Sequence, residues 1–183
     1  MFSQPSIAKC SLGQISSVGL FAAGATRVIR DHGNSGDALW PVANRAIYVP
    51  FYLEEEVIAV SMWYTTGTGV ATGNVDLGIY TRPGNKLIKS TGSTAWQVTN
   101  SILETVSFAQ SAFLPPGNYW MAIAIDNISV SPSRTNFTNA LNGDSSGILM
   151  EASAFPLPAT ATPVQQTTTF VLPTIGIFTL GIY

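Results

Sequence analysis

The sequence predicts an all-β protein, an antiparallel β-sandwich with jelly-roll-like connections. Short runs of β-branched and aromatic residues recur at a spacing of about 8–12 residues, and Gly, Pro or Asn separates them. No window of a dozen residues keeps its apolar positions at helical spacing without a Gly or Pro. The chain of 183 residues is the size of one domain. We therefore expect a single core between two sheets.

The strand pattern begins near residue 44 and continues to residue 126. Within VDLGIYT (75–81), Val75, Leu77 and Ile79 share one face of a strand and are predicted to face the core. Asp76 and Tyr80 alternate with them and are predicted to lie on the outer face. The predicted strands of this region are 47–53, 57–64, 75–81, 86–90, 104–109 and 118–126, and one turn of helix is an alternative near 101–105.

The charges that follow VDLGIYT also fit a scaffold. Arg82 to Asn85 (RPGN) form a turn, and Lys86 and Lys89 flank two apolar residues on the next strand. Lysines on such a strand discourage pairing with stray strands, which is a structural role.

Two segments fall outside the strand pattern. Residues 1–43 are rich in Gly, Ser and Ala and are predicted to be an N-terminal extension or arm. Residues 44–183 form the sandwich domain, in which 152–169 is a long Pro/Thr-rich loop or arm and 174–183 is a closing strand. Segments that order without a core of their own usually lie on a neighbouring subunit, so we expect both arms to contact other chains.

The composition indicates assembly. Charged residues make up 10% of the chain, against about 25% in an ordinary soluble domain. A neutral polar exterior favours a surface covered by other subunits. The net charge of −2 argues against a nucleic-acid partner. No apolar run approaches the length of about 18 residues that spans a membrane.

The N-terminal region is too polar, at Gln14 and Ser16, for a cleaved secretion signal. Cys10 is the single cysteine, so the fold needs no internal disulfide, and an inert thiol is favoured over a nucleophile.

No catalytic set is assembled, so we expect no enzymatic activity. GDSSG (143–147) is one residue from the GDSGG around a protease nucleophile, but His32, the single histidine, lacks the surroundings of a base for Ser145. We interpret GDSSG as a turn. Nothing in the sequence pairs the carboxylates that a glycosidase needs, which are Glu54, Glu55, Glu56, Glu104 and Glu151.

No cofactor or metal is predicted. One histidine and one cysteine exclude the usual zinc sites. Asp31, Asp37 and Asp144 are alternatives for a calcium site with backbone carbonyls, although solvated loop acids explain them as well. Two glycosylation sequons, which begin at Asn127 and Asn136, are given no role.

The tryptophans offer one binding hypothesis. Trp63 and Trp120 lie inside strand runs and are predicted to be core residues. Trp96 lies in STAWQVTN between two strands and is the candidate for an exposed platform that stacks on a sugar ring.

The order of phrases from residue 44 to about 126 is distinctive: NRAIYVPF, a strand ending in MWY, GNVDLGIYTRPGNKLIKSTGSTA, and FLPPGNYWMAIAID. It resembles a β-sandwich module of virion proteins of tailed bacteriophages, over somewhat less than half of the chain. LPPGNYW-like phrases also occur in sandwich modules of secreted enzymes and carbohydrate-binding domains.

The resemblance implies a non-enzymatic virion component. We expect a head decoration (cement) protein, because the chain is small and lacks the repeats of a fibre shaft. The alternative is a tail or fibre subunit, with a carbohydrate-binding module for host attachment as one form. The expected partners are other copies of the chain, as a trimer, and the major capsid protein. The protein is then expected in the virion, assembled in the host cytoplasm.

Overall fold

The computed structural model describes residues 21–22, 26–30, 36–68, 72–98, 102–135, 147–166 and 172–181. These residues are all-β and contain no helix, and so none that could cross a membrane. The strands are β1 (Phe21–Ala22), β2 (Thr26–Arg30), β3 (Gly36–Asp37), β4 (Arg45–Leu53), β5 (Val57–Thr65), β6 (Asn74–Thr81), β7 (Leu87–Ser90), β8 (Thr94–Ala95), β9 (Leu103–Leu114), β10 (Gly117–Ile125), β11 (Ser133–Thr135), β12 (Leu149–Glu151), β13 (Val164–Gln165), β14 (Leu172–Pro173) and β15 (Ile175–Gly181).

Two main sheets form the sandwich, and every pairing in them is antiparallel. The five-stranded sheet has the order β1-β2-β15-β5-β9. The seven-stranded sheet has the order β13-β12-β4-β10-β6-β7, with β8 paired to β6. A small third sheet has the order β14-β11-β3.

The main core lies between the two large sheets. Alternate residues of each strand face it, as the pleat of a strand requires. The seven-stranded sheet contributes apolar side chains from β4, β6 and β10, and the five-stranded sheet contributes others from β5, β9 and β15. Val75, Leu77 and Ile79 are fully buried there, as predicted.

The predicted strands between residues 44 and 126 are confirmed within two residues at each end, except that the strand predicted at 104–109 continues to Leu114. The helical turn considered near 101–105 is wrong, because β9 begins at Leu103. Leu103–Ser107 pairs residue by residue with Ser61–Thr65 of β5, and that ladder fixes an extended backbone.

Parts of the predicted N-terminal extension belong to the sandwich. Strand β2 pairs with β15 in the five-stranded sheet, and β3 pairs with β11 in the small third sheet. Trp40 is 1% exposed and lies in the main core, where its Nε1 donates a hydrogen bond to the Arg45 carbonyl. The boundary at 43/44 therefore does not separate an arm from a domain for these residues.

The strand expected at 174–183 is found as β15. It lies between β2 and β5, inside its sheet rather than at an edge.

Candidate functional site

The outer face of the seven-stranded sheet carries a group of buried aromatic residues, Tyr48, Tyr80 and Trp120, which we call the aromatic shelf. Trp120 of β10 is the neighbour of Tyr80 on β6, and the rings of Tyr48 and Tyr80 meet edge to face at 5.5 Å between centroids. The three residues are at most 4% exposed. Small side chains between the rings leave room for a covering layer; they are Ala46, Ala122 and Ala124.

Residues 154–161, which we call the strap, cover the aromatic shelf. Ala154, Leu157 and Ala161 of the strap are buried against it. The strap approaches so closely at Gly78 of β6 that a Cβ there would lie 2.7 Å from Leu157 Cδ1. A Cβ at position 78 would therefore displace the Leu157 side chain, and it would also lie 3.1 Å from the Lys89 carbonyl oxygen.

Backbone hydrogen bonds hold the strap at both ends. The amide of Ala154 donates to the Asn44 carbonyl at 2.6 Å, and the amide of Ala161 donates to the Asn85 carbonyl at 2.9 Å. Between them, the Tyr80 hydroxyl donates to the Pro158 carbonyl at 2.7 Å. The strap was expected to lie on a neighbouring chain, and this part of it packs on its own sheet instead.

Asp76 is not solvated, although its alternation with core residues placed it on the outer face. The side chain is on that face but is only 1% exposed, because the strap covers it. Its Oδ2 accepts a hydrogen bond from the Leu157 amide at 3.0 Å, and its Oδ1 accepts one from the Ser90 hydroxyl at 2.6 Å. The Lys86 ammonium donates to the Thr160 hydroxyl in an exposed contact rather than to Asp76.

Glu151 is the second carboxylate of this face. Its Oε2 accepts from the Tyr48 hydroxyl at 2.7 Å and from the Thr162 amide at 3.0 Å, while Oε1 accepts from the Thr162 hydroxyl at 2.8 Å. Burial raises the pKa of Tyr48, as does the hydrogen bond to Glu151, and burial also raises the pKa of Tyr80. Both hydroxyls therefore stay protonated and act as donors.

The structure thus brings Asp76 and Glu151 to one face, a pair that the sequence did not indicate. All four carboxylate oxygens accept hydrogen bonds from the protein. The other acids considered for glycosidase chemistry do not join them: Glu54, Glu55 and Glu56 lie exposed before β5, and Glu104 lies on β9 of the other sheet. Asp76 thus attaches the strap, and Glu151 joins Thr162, the residue after the strap, to Tyr48; these contacts fit a structural role better than acid–base chemistry.

The expectation that Trp96 is an exposed platform is wrong. The side chain is 6% exposed, and its ring packs on Tyr64 with 4.7 Å between centroids. The amide of Trp96 donates to the Gly73 carbonyl at 2.8 Å, which draws the segment onto the end of the core. Trp63 and Trp120 are buried, as predicted.

The remaining candidates have structural roles or lie outside the described residues. Asp37 Oδ2 accepts from the Thr68 amide at 2.8 Å and Oδ1 accepts from the Ser133 hydroxyl at 3.2 Å, so Asp37 links the segment at Thr68 to β11. Asn127 makes a turn with Ser129. Its amide group donates to the Thr72 carbonyl on the wall of an open polar depression of 460 Å³. The residues that the structure describes do not include Cys10, Asp31, His32, Asn136, Asp144 and Ser145.

Within the described ranges, no three His, Cys, Asp or Glu residues gather as a metal site would require.

The outer face of the five-stranded sheet differs from the strap-covered face. Ile58 of β5 lies between Phe113 of β9 and Leu180 of β15, so the three form one row across the sheet. Phe113 is 55% exposed and Leu180 is 40% exposed. Over β5, β9 and β15 the single charged residue is Glu104. We call the row Phe113, Ile58 and Leu180 the apolar row.

Compared with known proteins, the chain matches no family model, and no curated protein matches it.

Proposed function

We propose that the protein is a non-enzymatic structural subunit of a phage virion, a capsid decoration (cement) protein that binds the outside of the head and stabilises it. The observation that carries the proposal is the nearly uncharged part of the five-stranded sheet formed by β5, β9 and β15, with its exposed apolar row. The resemblance of residues 44–126 to virion sandwich modules and the low charge of the whole chain support it.

The chemistry of this face suits a protein contact. Burial of exposed apolar surface is favourable at roughly 25 cal/mol per Å². Removal of charges from water opposes association, and this face has few charges to remove. Phe113 and Leu180 are therefore the side chains we place in contact with another subunit.

The partners in this proposal are other copies of the chain and the major capsid protein, without nucleic acid or membrane. In this proposal the particle is assembled in the host cytoplasm. The strands of the sandwich are proposed to have jelly-roll-like connections. The trimer expected from the sequence stays a prediction.

The test is the copy number of the chain in purified particles. Quantitative mass spectrometry of virions from the phage that encodes the chain is expected to give a number comparable to that of the major capsid protein. A few copies per particle would favour the alternative, a tail or fibre subunit. Absence from purified particles contradicts both.

A binding assay then addresses the apolar row. Particles stripped of the protein are incubated with the unmodified chain or with the Phe113→Ser/Leu180→Ser variant, and bound protein is measured after sedimentation. The double variant is expected to bind at least tenfold more weakly. Val164→Ser is the matched control, because Val164 is also 55% exposed but lies on β13 of the other sheet. Equal binding of the three proteins would remove the apolar row from the contact.

Trp96 does not offer a surface on which a sugar ring could stack, because its ring is buried against Tyr64.

A further inference from the structure

Strand β9 forms an edge of the five-stranded sheet. It is the longest strand of the described chain, with 12 residues. It pairs with β5 on one side, and no described strand pairs with it on the other. The unpaired backbone groups of an edge strand can pair with another chain unless something interrupts them.

The two halves of β9 differ in this respect. The register with β5 shifts between Ala59 and Ser61, where residues 108–111 bulge out of the ladder. Such a bulge obstructs pairing along the C-terminal half. The N-terminal half, Leu103–Ser107, keeps an unbroken register with β5 and has neither Pro nor Lys. Of the usual protections of an edge, this half has a single charged residue, Glu104.

We propose that two copies of the chain pair antiparallel through residues 103–107, about a two-fold axis at Thr105. Each Leu103 then lies opposite Ser107 of the partner subunit, and each Glu104 lies opposite Val106 of the partner subunit. The two five-stranded sheets become one continuous sheet.

The side chains of this segment fit pairing with a second copy. Leu103, Thr105 and Ser107 are exposed on the outer face, and Leu103 is 49% exposed. Threonines directly opposite each other form a favourable cross-strand pair. Glu104 is the one charge of the strand, and in this register no charge lies directly opposite a like charge. The two Glu104 carboxylates occupy diagonal positions, about 7–8 Å apart between backbones.

This contact differs from the trimer expected from the sequence, because an isologous edge pairing closes with two copies. It does not depend on the proposed function, since it is measured on the isolated protein, whereas the proposed function is measured on particles. Failure of one leaves the other testable.

The experiment is sedimentation velocity of the full chain over a range of concentrations. We expect a monomer–dimer equilibrium. Thr105→Lys places two ammonium groups opposite each other on the axis and is expected to raise the dissociation constant at least tenfold. The matched control is Asn118→Lys, an exposed strand position on β10 of the other sheet, which is expected to leave the dissociation constant unchanged.

A second variant keeps the test independent of folding. Glu104→Gln removes the diagonal repulsion and is expected to lower the dissociation constant severalfold at low ionic strength. Amide hydrogen exchange at residues 103–107 is expected to slow as the dimer forms. A monomer at every concentration, a trimer, or an association that Thr105→Lys leaves unchanged in a folded protein would overturn the proposal.

Discussion

The two outer faces of the sandwich differ in how far their apolar side chains are covered. The seven-stranded sheet presents the aromatic shelf, and the strap covers it, so its large rings are buried. The five-stranded sheet presents the apolar row, in which Phe113 is 55% exposed. One face thus completes its core from its own chain, while the other keeps apolar side chains in water. We infer that stability is concentrated on the first face and association on the second.

The largest expected difference between the faces is in stability. Trp120→Ala removes a ring that is 4% exposed, that lies 4.5 Å below the Arg82 guanidinium, and that donates to Asn85 Oδ1. We expect a loss of about 3–5 kcal/mol in the free energy of unfolding. Phe113→Ala, an aromatic truncation on the exposed face, is expected to cost about 1 kcal/mol or less. Urea unfolding of both variants measures the contrast, and equal losses would refute it.

Alkaline pH is expected to reduce the contribution of the buried tyrosines to the free energy of unfolding. Burial raises the pKa of Tyr64 to about 12, against about 10 in the unfolded chain. The unfolded state therefore loses its proton first, and stability that is fully present below pH 10 is lost as the pH rises toward 12. At about 1.4 kcal/mol per pKa unit, Tyr64 accounts for roughly 2–3 kcal/mol.

Urea unfolding between pH 8 and pH 11.5 measures this loss. In Tyr64→Phe the decline should be shallower but should persist, because burial also raises the pKa of Tyr48 and of Tyr80. A flat profile in the unmodified protein would contradict the expectation.

Removal of the carboxylate that holds the strap is expected to have a smaller effect on the free energy of unfolding. Asp76→Ala leaves the Leu157 amide and the Ser90 hydroxyl without this acceptor. We expect a loss of about 2–3 kcal/mol, together with faster amide exchange at Leu157. Asp76→Asn keeps one acceptor oxygen and is expected to lose less. The exposed Glu54→Ala should stay within about 0.5 kcal/mol of the unmodified protein. Unchanged exchange at Leu157 in Asp76→Ala would show that the carboxylate does not hold the strap.

The smallest expected effect on stability comes from the apolar row itself. Leu180→Ser is expected to change the free energy of unfolding by less than about 1 kcal/mol, because Leu180 is 40% exposed in the folded protein. A larger loss in urea unfolding would mean that this face is part of the folded core rather than a contact surface.

The positions of the main strands could be predicted from the sequence, because alternation and turn residues are local signals. The same alternation correctly placed Asp76 on the outer face. It could not show what covers that face, since the strap is about 80 residues away along the chain. AFPLPATA has two prolines and no strand period, so nothing local indicated that it packs on a sheet.

The candidate site was less predictable, because it depends on contacts between residues that are far apart along the chain. Trp96 lies in a loop without periodicity, so its direction toward Tyr64 had no local signal. The uncharged face becomes visible only when β5, β9 and β15 are known to be neighbours. The sequence shows that each of these segments has few charges, but it does not show that they are neighbours in one sheet.

The position of β15 has a consequence for synthesis of the chain. This strand lies between β2 and β5, so a ribosome must deliver residues 175–181 before the five-stranded sheet can exist. The seven-stranded sheet can begin to pair much earlier, since β4, β6 and β10 are complete by residue 125. Until translation passes β15, the nascent chain exposes both β5 and β9 with their apolar side chains. Chains stalled in that interval are the ones we expect to need a chaperone.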